Sequence, residues 1–336
     1  MGNDKIKLPS KSRIIIVRNC LKNQVFNNQL FILILFIIII LVLMLIFRRE
    51  YFYSNQNLGT ILLNLSTSGF LVVGMMFLMV GGVFDLSIGA NLALSAVISG
   101  YFLKNFTNLP VFISAIIGIF VAATIGLING LVVNKLKVNA FMATLGMMSI
   151  CRALAIIIGG PGIGGLPKEF LVFGQKTYFG FQSPVFYMVI ITIVGYLLLR
   201  KTQFFRQLYF IGSNQKAAML SGINVERTMI LMFVIMGVLA GFTGLVLASR
   251  LDVAVGTVGE GLNLQVIAAA LMGGASLSGG KGSILGAFLG ALFISLLSNI
   301  MVLSDINIYL QNGIVGLILI FALGFDVVLN RKYRAI

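Results

Sequence analysis

The amino-acid sequence is dominated by repeated apolar runs of about twenty residues, and these runs constrain the possible fold more than any other feature. A helix of about that length crosses the hydrocarbon core of a bilayer. Of the 336 residues, 59% are hydrophobic and 10% are charged, whereas soluble domains carry roughly 25% charged residues. No segment between the runs is long enough to build a core of its own. The sequence therefore predicts an all-α, polytopic membrane helix bundle with a single transmembrane domain.

The runs predict about ten transmembrane helices within residues 30–330. The first, 30–47, follows a basic segment (1–29) and ends at Arg48 and Arg49 instead of at a cleavage site. This indicates a retained span with its N-terminus in the cytoplasm. The others are predicted at 58–81, 86–103, 111–133, 138–158, 184–199, 228–248, 264–277, 284–303 and 308–329. A basic tail, 331–336, is predicted to lie in the cytoplasm as well.

Basic residues support this orientation, because cytoplasmic loops of membrane proteins carry an excess of lysine and arginine. With the N-terminus inside, the inner loops receive most of the basic residues, including those within 200–227. The net charge of +15 is then a topology signal, and no nucleic-acid partner is predicted. The longest outer loop, 159–183, is rich in glycine and aromatic residues. It is too short for a domain, and a lid or a docking rim is the role we expect for it.

The segment Gly212–Arg227 reads as an ordinary water-exposed helix between two spans. Ser213 or Asn214 can cap its start, and Gly222 can end it in the left-handed conformation that other residues resist. Its small apolar face is predicted to be exposed and consists of Ala217, Ala218 and Leu220. A short exposed helix that is too small to be a domain is predicted to contact a partner.

Asp85 lies in a glycine-rich break between two apolar runs. A carboxylate inside a bilayer costs a few kcal/mol, so its presence is compatible with the polar wall of a substrate path. A tight turn in which Asp85 caps the next helix explains the same residue equally well. Both interpretations stay open at the level of sequence.

Other polar residues within the runs are further candidates for a translocation path. Asn139, Phe141 and Thr144 form a polar and aromatic set at the start of one run, with Arg152 about two turns beyond Thr144. Such a set suits a sugar, which has both hydroxyl groups and an apolar ring face. Asn64, Asn263 and Gln265 are candidates of the same kind. Hydrogen bonds between helices explain all these residues without any ligand.

Several classes of chemistry are disfavoured by the residues present. The chain has no histidine, which removes the commonest general base and metal ligand. The stretch 273–283 (GGASLSGGKGS) superficially resembles a phosphate-binding loop, but Ala275 and Gly282 stand where that motif requires glycine and Ser or Thr. We therefore predict no catalytic residue, no metal site and no cofactor bound by this chain. Any energy from ATP has to come from another subunit.

Four motifs in order and with matching spacing resemble the permease subunit of ribose-type ABC sugar importers. They are GGVFDLSIGA, VNAFMATLGMMSICRAL, GSNQKAAMLSGINVER and IAAALMGGASLSGGKGSILGA, within residues 58–334. The resemblance implies a homodimer or close heterodimer of permeases in the bacterial cytoplasmic membrane. It also implies a cytoplasmic ATPase that binds ATP and Mg²⁺, and an extracytoplasmic binding protein that delivers a monosaccharide or similar polyol. This chain departs from the common pattern at Asn263-Leu264-Gln265, where relatives often have an acid.

The resemblance also implies roles for particular residues. In family members a short cytoplasmic helix sits in a cleft of the ATPase, and the corresponding coupling loop here is about 200–227. The residues that match its pattern are Gly212, Asn214, Ala217, Ala218, Leu220, Ser221 and Gly222. The candidates for the translocation path remain Asn64, Asp85, Asn139, Phe141, Thr144 and Gln265. The alternative hypothesis is an ion-gradient-coupled secondary transporter, for which Asp85 would be the coupling acid.

Overall fold

A computed structural model describes residues 30–46, 49–307, 310–311, 313–321 and 324. The predicted N-terminal segment, the C-terminal tail and part of the last predicted span lie outside these residues. The described part is a bundle of helices: α1 Leu30–Ile46, α2 Arg49–Phe52, α3 Asn55–Val80, α4 Ile88–Asn105, α5 Val111–Asn134, α6 Ala140–Gly159, α7 Lys168–Gln175, α8 Ser183–Lys201, α9 Gln203–Ser213, α10 Gln215–Leu220, α11 Val225–Leu251, α12 Leu262–Met272 and α13 Ile284–Leu303. Residues 313–321 are helical as well.

The loops at one end of the bundle contain short strands that the all-α prediction did not include. Strand β1 (Ile163–Gly164) pairs antiparallel with β4 (Val253–Ala254), and β2 (Thr177–Tyr178) forms a hairpin with β3 (Phe181–Gln182). Strands of two residues are too short to produce a periodic hydrophobic pattern, so sequence gives no signal for them.

Six helices of the described part are long and apolar enough to cross a membrane: α3, α5, α6, α8, α11 and α13. Helices α1 and α12 are apolar but shorter, so the described residues do not establish the predicted number of about ten. The predicted span 264–277 is wrong in its extent, because α12 has 11 residues and ends at Met272. At 1.5 Å per residue it is about 16 Å long, roughly half the hydrocarbon thickness. Two glycines, Gly273 and Gly274, follow its last turn.

Helix α3 forms the centre of the bundle. Of its most apolar stretch of 18 residues, 83% is buried, and Phe70, Met75 and Leu78 are fully enclosed. Helix α6 is far more exposed, since only 17% of its corresponding apolar stretch is buried. Because α6 is exposed on most of its circumference, its apolar side chains must face lipid or another subunit.

Small residues bring α5 and α11 into close antiparallel contact. Gly126 lies against Phe233 and Gly237, and Gly130 lies against Ile230. These small residues have a structural role, since the two backbones meet where side chains are absent. The antiparallel pairing also places the end of α5 beside the start of α11, at the same end of the bundle as α9 and α10.

Candidate functional site

Helix α10 has the ends predicted from its sequence. The side chain of Asn214 accepts a hydrogen bond from the amide of Ala217 (3.1 Å) at the start of the helix. At the other end Gly222 is left-handed (φ +81°). The Gly222 amide donates to Met219 (3.0 Å), and the Ile223 amide donates to the carbonyl of Ala218 (3.1 Å). This pair of bonds is the Schellman arrangement, which stabilises a very short helix that would be marginal on its own.

The prediction that Ala218 is exposed is wrong. Ala218 is only 3% exposed and belongs to the main hydrophobic core. The physical reason is that α10 packs against α9 and the start of α11, which turns Ala218 inward. The outward face carries Ala217, Met219 and Leu220, and Leu220 is 90% exposed. Leu220 is therefore the most exposed apolar residue that a partner could reach on this face, ahead of Met219 (49%). The other candidate coupling residues Asn214, Ser221 and Gly222 are exposed too, whereas Gly212 is half-buried.

Gly212 joins α9 to two other parts of the bundle. A Cβ atom at Gly212 would overlap with the carbonyl oxygen of Val80 and the amide nitrogen of Gly280. The amide of Gly280 donates to the Val80 carbonyl (2.8 Å), and a Cβ at Gly279 would lie 2.7 Å from the Cα of Gly82. We call Gly82, Gly212, Gly279 and Gly280 the glycine contact. Through it, the segment α9–α10 is locked to the end of α3 and to the loop 273–283.

A second unusual feature is non-helical backbone inside the bundle, in residues 253–261, which we call the re-entrant segment. It starts at β4 and passes beside α6, where a Cβ atom at Gly256 would lie 2.6 Å from the carbonyl oxygen of Ala155. It ends near the start of α4, where a Cβ atom at Gly259 would lie 2.8 Å from the carbonyl oxygen of Gly89. Non-helical backbone at membrane depth is tolerated where it is enclosed by protein or lines a water-filled cavity.

The start of α4 lies near the middle of the membrane-spanning bundle. In its first turn, Asn91 donates to the carbonyl of Ala122 on α5 (3.1 Å). Ala122 is 12 residues before the end of α5 at Asn134, or about 18 Å along the helix axis. The re-entrant segment therefore reaches about half the depth of the bundle, and α12 completes the crossing.

Arg152 on α6 holds the re-entrant segment in place. Its guanidinium donates to the carbonyls of Gly256, Val258 (3.0 Å) and Gly89 (3.4 Å). At the level of sequence, hydrogen bonds between helices were one explanation of Arg152, and these three carbonyls are its partners. Because one planar fork bonds both the re-entrant segment and α4, Arg152 connects three parts of the bundle.

Polar side chains on and after the re-entrant segment reach the surface of the chain at membrane depth. Thr257 and Glu260 are exposed, and Asn263 and Gln265 on α12 are half-buried. We call these four residues the polar strip. It lies beside α6, since the side chain of Asn263 contacts the sulfur of Met148 (3.6 Å). The predicted spans 228–248 and 264–277 leave Glu260 in an outer loop, because an acid between two glycines gives no sign that its loop folds back to membrane depth.

Asp85 is enclosed and bonded to neighbouring side chains. One carboxylate oxygen accepts from the amide (2.7 Å) and the hydroxyl (2.6 Å) of Ser87. Asn129 on α5 donates to Ser87 (2.9 Å) and to the second oxygen of Asp85 (3.4 Å). With Asp85 only 1% exposed, this geometry supports the turn interpretation. Asp85 accepts from the backbone amide of Ser87, and Ser87 is the residue before α4. Asp85 therefore forms a turn ahead of the helix and is not its N-cap. Asn129 was not identified from sequence.

The other candidate path residues are spread along the bundle. Asn139 caps α6 by accepting from the amide of Phe141 (2.9 Å), and the Thr144 hydroxyl donates to the carbonyl of Ala140 (2.8 Å) in its own helix. Phe141 is exposed and contacts the ring of Phe84. Asn64 lies 16 residues before the end of α3, or about 24 Å away, and accepts from Arg250 (3.4 Å). These residues therefore do not form one compact site.

Charge is distributed unequally between the two ends of the described bundle. The end that contains α9 and α10 carries eight basic residues against Asp85 and Glu226: Lys135, Lys137, Arg200, Lys201, Arg206, Lys216, Arg227 and Lys281. At the opposite end, Lys104, Lys168, Lys176 and Arg250 are balanced by Glu50, Glu169, Asp252 and Asp305. Within the described residues, no group of three or more acidic or cysteine side chains is placed to hold a metal ion.

Comparison with known proteins agrees with this architecture. Residues 57–323 match the family model described as "Branched-chain amino acid transport system / permease component". The chain is 37% identical over 283 residues to the ribose import permease protein RbsC of Bacillus subtilis, covering 83% of this chain and 86% of that protein. It is 36% identical over 265 residues to the L-arabinose transport system permease protein AraH of Escherichia coli, covering 79% and 80%.

A third relative is named as part of an ABC transporter. The L-arabinose ABC transporter permease protein AraH of Azospirillum brasilense is 32% identical over 285 residues, covering 84% of each chain. The family model spans most of the chain, and its description is that of a transport component and not of a catalytic subunit. The apolar helices agree with a multi-pass location in the inner membrane. The chain belongs to this family of ABC importer permeases.

Proposed function

We propose that this permease forms the translocation path for a monosaccharide or similar polyol. The support comes from its relatives, which are named for ribose and L-arabinose, although the family description names branched-chain amino acids. The polar strip suits a polyol better than an aliphatic side chain, because Thr257, Glu260, Asn263 and Gln265 offer hydrogen-bond donors and acceptors. A leucine-type substrate would leave those groups unpaired.

The path forms between this chain and a second permease, either identical or closely related. Two observations favour this arrangement. Helix α6 is largely exposed, and the polar strip next to it opens to the surface of the chain and not to its interior. Exposed carboxylate and amide groups facing lipid at membrane depth would be costly. A partner that covers the α6 face would turn the strip into the wall of an aqueous passage.

The end with α9 and α10 faces the cytoplasm and contacts an ABC ATPase. The excess of basic residues at this end supports the orientation. The observation that carries the coupling role is Leu220, an apolar side chain that is 90% exposed on a helix with well-defined ends. ATP and Mg²⁺ bind to the ATPase, and this chain has no ATPase site of its own. A binding protein delivers the substrate to the opposite end.

Movement of α10 reaches the path through backbone contacts. The glycine contact ties α9 to the end of α3 and to the loop 273–283, which leads back to α12. Since α3 is the most enclosed of the membrane-spanning helices, a shift at its end moves packed neighbours together instead of being absorbed by loose side chains. Nucleotide-driven closure of the ATPase would in this way bias the bundle between two states.

The coupling role is tested by replacing Leu220 with aspartate and measuring recovery of the ATPase subunit with the purified permease. Leu220→Asp should leave the fold intact, because the side chain is exposed, and should strongly reduce recovery by placing a charge in an apolar contact. Phe179→Asp is the matched control. Phe179 is 95% exposed at the opposite end of the bundle, so its replacement should leave ATPase recovery unchanged. Equal recovery with both variants would refute the assignment of α10.

A further inference from the structure

A cavity of about 550 Å³ lies between the end of α8, helix α9 and the start of α13. Its lining residues combine two arginines with two tyrosines and an apolar floor: Tyr196, Leu199, Arg200, Arg206, Tyr209 and Ile284, with Ser283 at the start of α13. The described part of the cavity lining contains no acidic side chain. Nothing in the proposed transport path or the coupling contact uses this cavity.

The charge of the cavity is suited to an anion. Arg200 and Arg206 are exposed at its mouth, and the sequence from 200 to 216 holds four basic residues and no acid. The hydroxyl of Tyr196 contacts the Arg200 guanidinium, while the Tyr209 hydroxyl donates to the carbonyl of Gly282 (2.8 Å). The start of the 20-residue helix α13 adds the positive end of its dipole. Guanidinium groups bind phosphate in a bidentate manner.

The apolar parts of the cavity and its position indicate where the phosphate comes from. Arg200 lies in the last turn of the membrane-spanning helix α8, at the level where arginine side chains reach the lipid headgroups. Helix α9 follows directly and buries Phe205, Leu208 and Ile211 on one face. Its other face exposes Phe210 (61%) beside Arg206, a combination typical of a helix lying in the membrane interface.

The floor of the cavity is formed by Leu199 and Ile284, which are 3% and 1% exposed. A free phosphate ion gains nothing from apolar contacts, whereas the acyl carbons of a phospholipid would cover the exposed ring of Phe210 beside Arg206. We propose that this cavity binds the phosphate group of an anionic phospholipid, held by Arg200 and Arg206. The bound lipid would brace α9 against α13, next to the glycine contact.

This inference needs only the membrane location of the chain, and it is independent of the proposed substrate and of the ATPase contact. The test uses the full-length permease, purified in detergent with its associated subunits, and measures bound lipid by native mass spectrometry during titration. Phosphatidylglycerol is compared with zwitterionic phosphatidylcholine and with inorganic phosphate. We expect specific binding of phosphatidylglycerol, weakened about fivefold for each arginine removed in Arg200→Gln and Arg206→Gln.

The matched control is the double variant Lys135→Gln with Arg227→Gln. It removes two basic residues from the same end of the bundle but outside the cavity, so it should bind phosphatidylglycerol like the unmodified chain. Equal weakening in the control would show a diffuse charge effect and overturn the site. Equal binding of phosphatidylcholine would overturn it as well. Displacement of the lipid by millimolar inorganic phosphate, with the same dependence on the two arginines, would assign the cavity to a soluble phosphate and overturn the lipid proposal.

Discussion

Two residues on one short helix show how strongly local environment decides the role of a side chain. Ala218 and Leu220 are two positions apart on α10, yet Ala218 is 3% exposed and Leu220 is 90% exposed. Both match the coupling pattern equally well in sequence. The difference arises because α10 is pressed against α9 by its Ala218 side. A charge at Ala218 would disturb the core, so of these two residues only Leu220 can test the proposed contact with the ATPase.

Arg152 is a second residue whose role depends on its position in the bundle. We expect Arg152→Leu to destabilise the protein by about 3 kcal/mol, because the variant leaves buried carbonyls of the re-entrant segment unpaired. Arg152→Lys should have an intermediate effect, since it keeps the charge but cannot form the fork. The measurement is the midpoint of thermal unfolding in detergent. Arg227→Leu serves as the exposed control and should shift the midpoint little. If Arg227→Leu shifts the midpoint as much as Arg152→Leu does, Arg152 does not hold the re-entrant segment in place.

At the scale of elements, the loop 273–283 is explained by packing. Its glycines resemble a phosphate-binding loop in sequence, but in the structure they meet Gly212 and Gly82 at backbone distance. Positive φ at Gly279 (+77°) and Gly280 (+71°) allows this approach, which other residues would resist. The loop therefore acts as a joint between α9, α3 and α13.

We expect Gly212→Ala to destabilise the protein by about 1–3 kcal/mol, because the added methyl group meets backbone atoms that cannot rotate away. It should also reduce substrate-stimulated ATP hydrolysis more than it reduces ATPase recovery, since the contact of Leu220 is untouched. Gly59→Ala is the control, because Gly59 lies near the start of α3 and a Cβ there meets nothing within 4 Å. If both variants behave alike in unfolding and in ATPase stimulation, the glycine contact plays no part in coupling.

At the scale of the whole molecule, the proposed pair of permeases explains why the polar strip lies beside the exposed helix α6. The chain on its own would present Glu260 to lipid, whereas a pair of permeases would enclose it. The hypothesis of ion-gradient coupling has little support here, because Asp85 is enclosed by Ser87 and Asn129.

We expect uptake of ribose or L-arabinose to require ATP and to proceed without an ion gradient. The measurement is uptake into proteoliposomes that contain the permease and ATPase, supplied with ATP on the ATPase side and with the binding protein on the other. Ionophores should leave the rate unchanged, and leucine should not be taken up. Uptake driven by a proton or sodium gradient in the absence of ATP would contradict the proposal. Uptake of leucine would show that the substrate is a branched-chain amino acid and not a sugar.

The sequence by itself determined the class of this protein and much of its local structure. Apolar runs, basic loops and four ordered motifs identified a membrane permease, and Asn214 and Gly222 marked the ends of α10 correctly, because caps depend on residues near in sequence. Only the tertiary structure decided that Ala218 is buried, that α12 spans only half the membrane, and that residues 253–261 bring Glu260 to membrane depth. These facts depend on contacts between residues far apart in the chain, such as Arg152 with Val258 and Gly212 with Val80. No local pattern encodes such contacts.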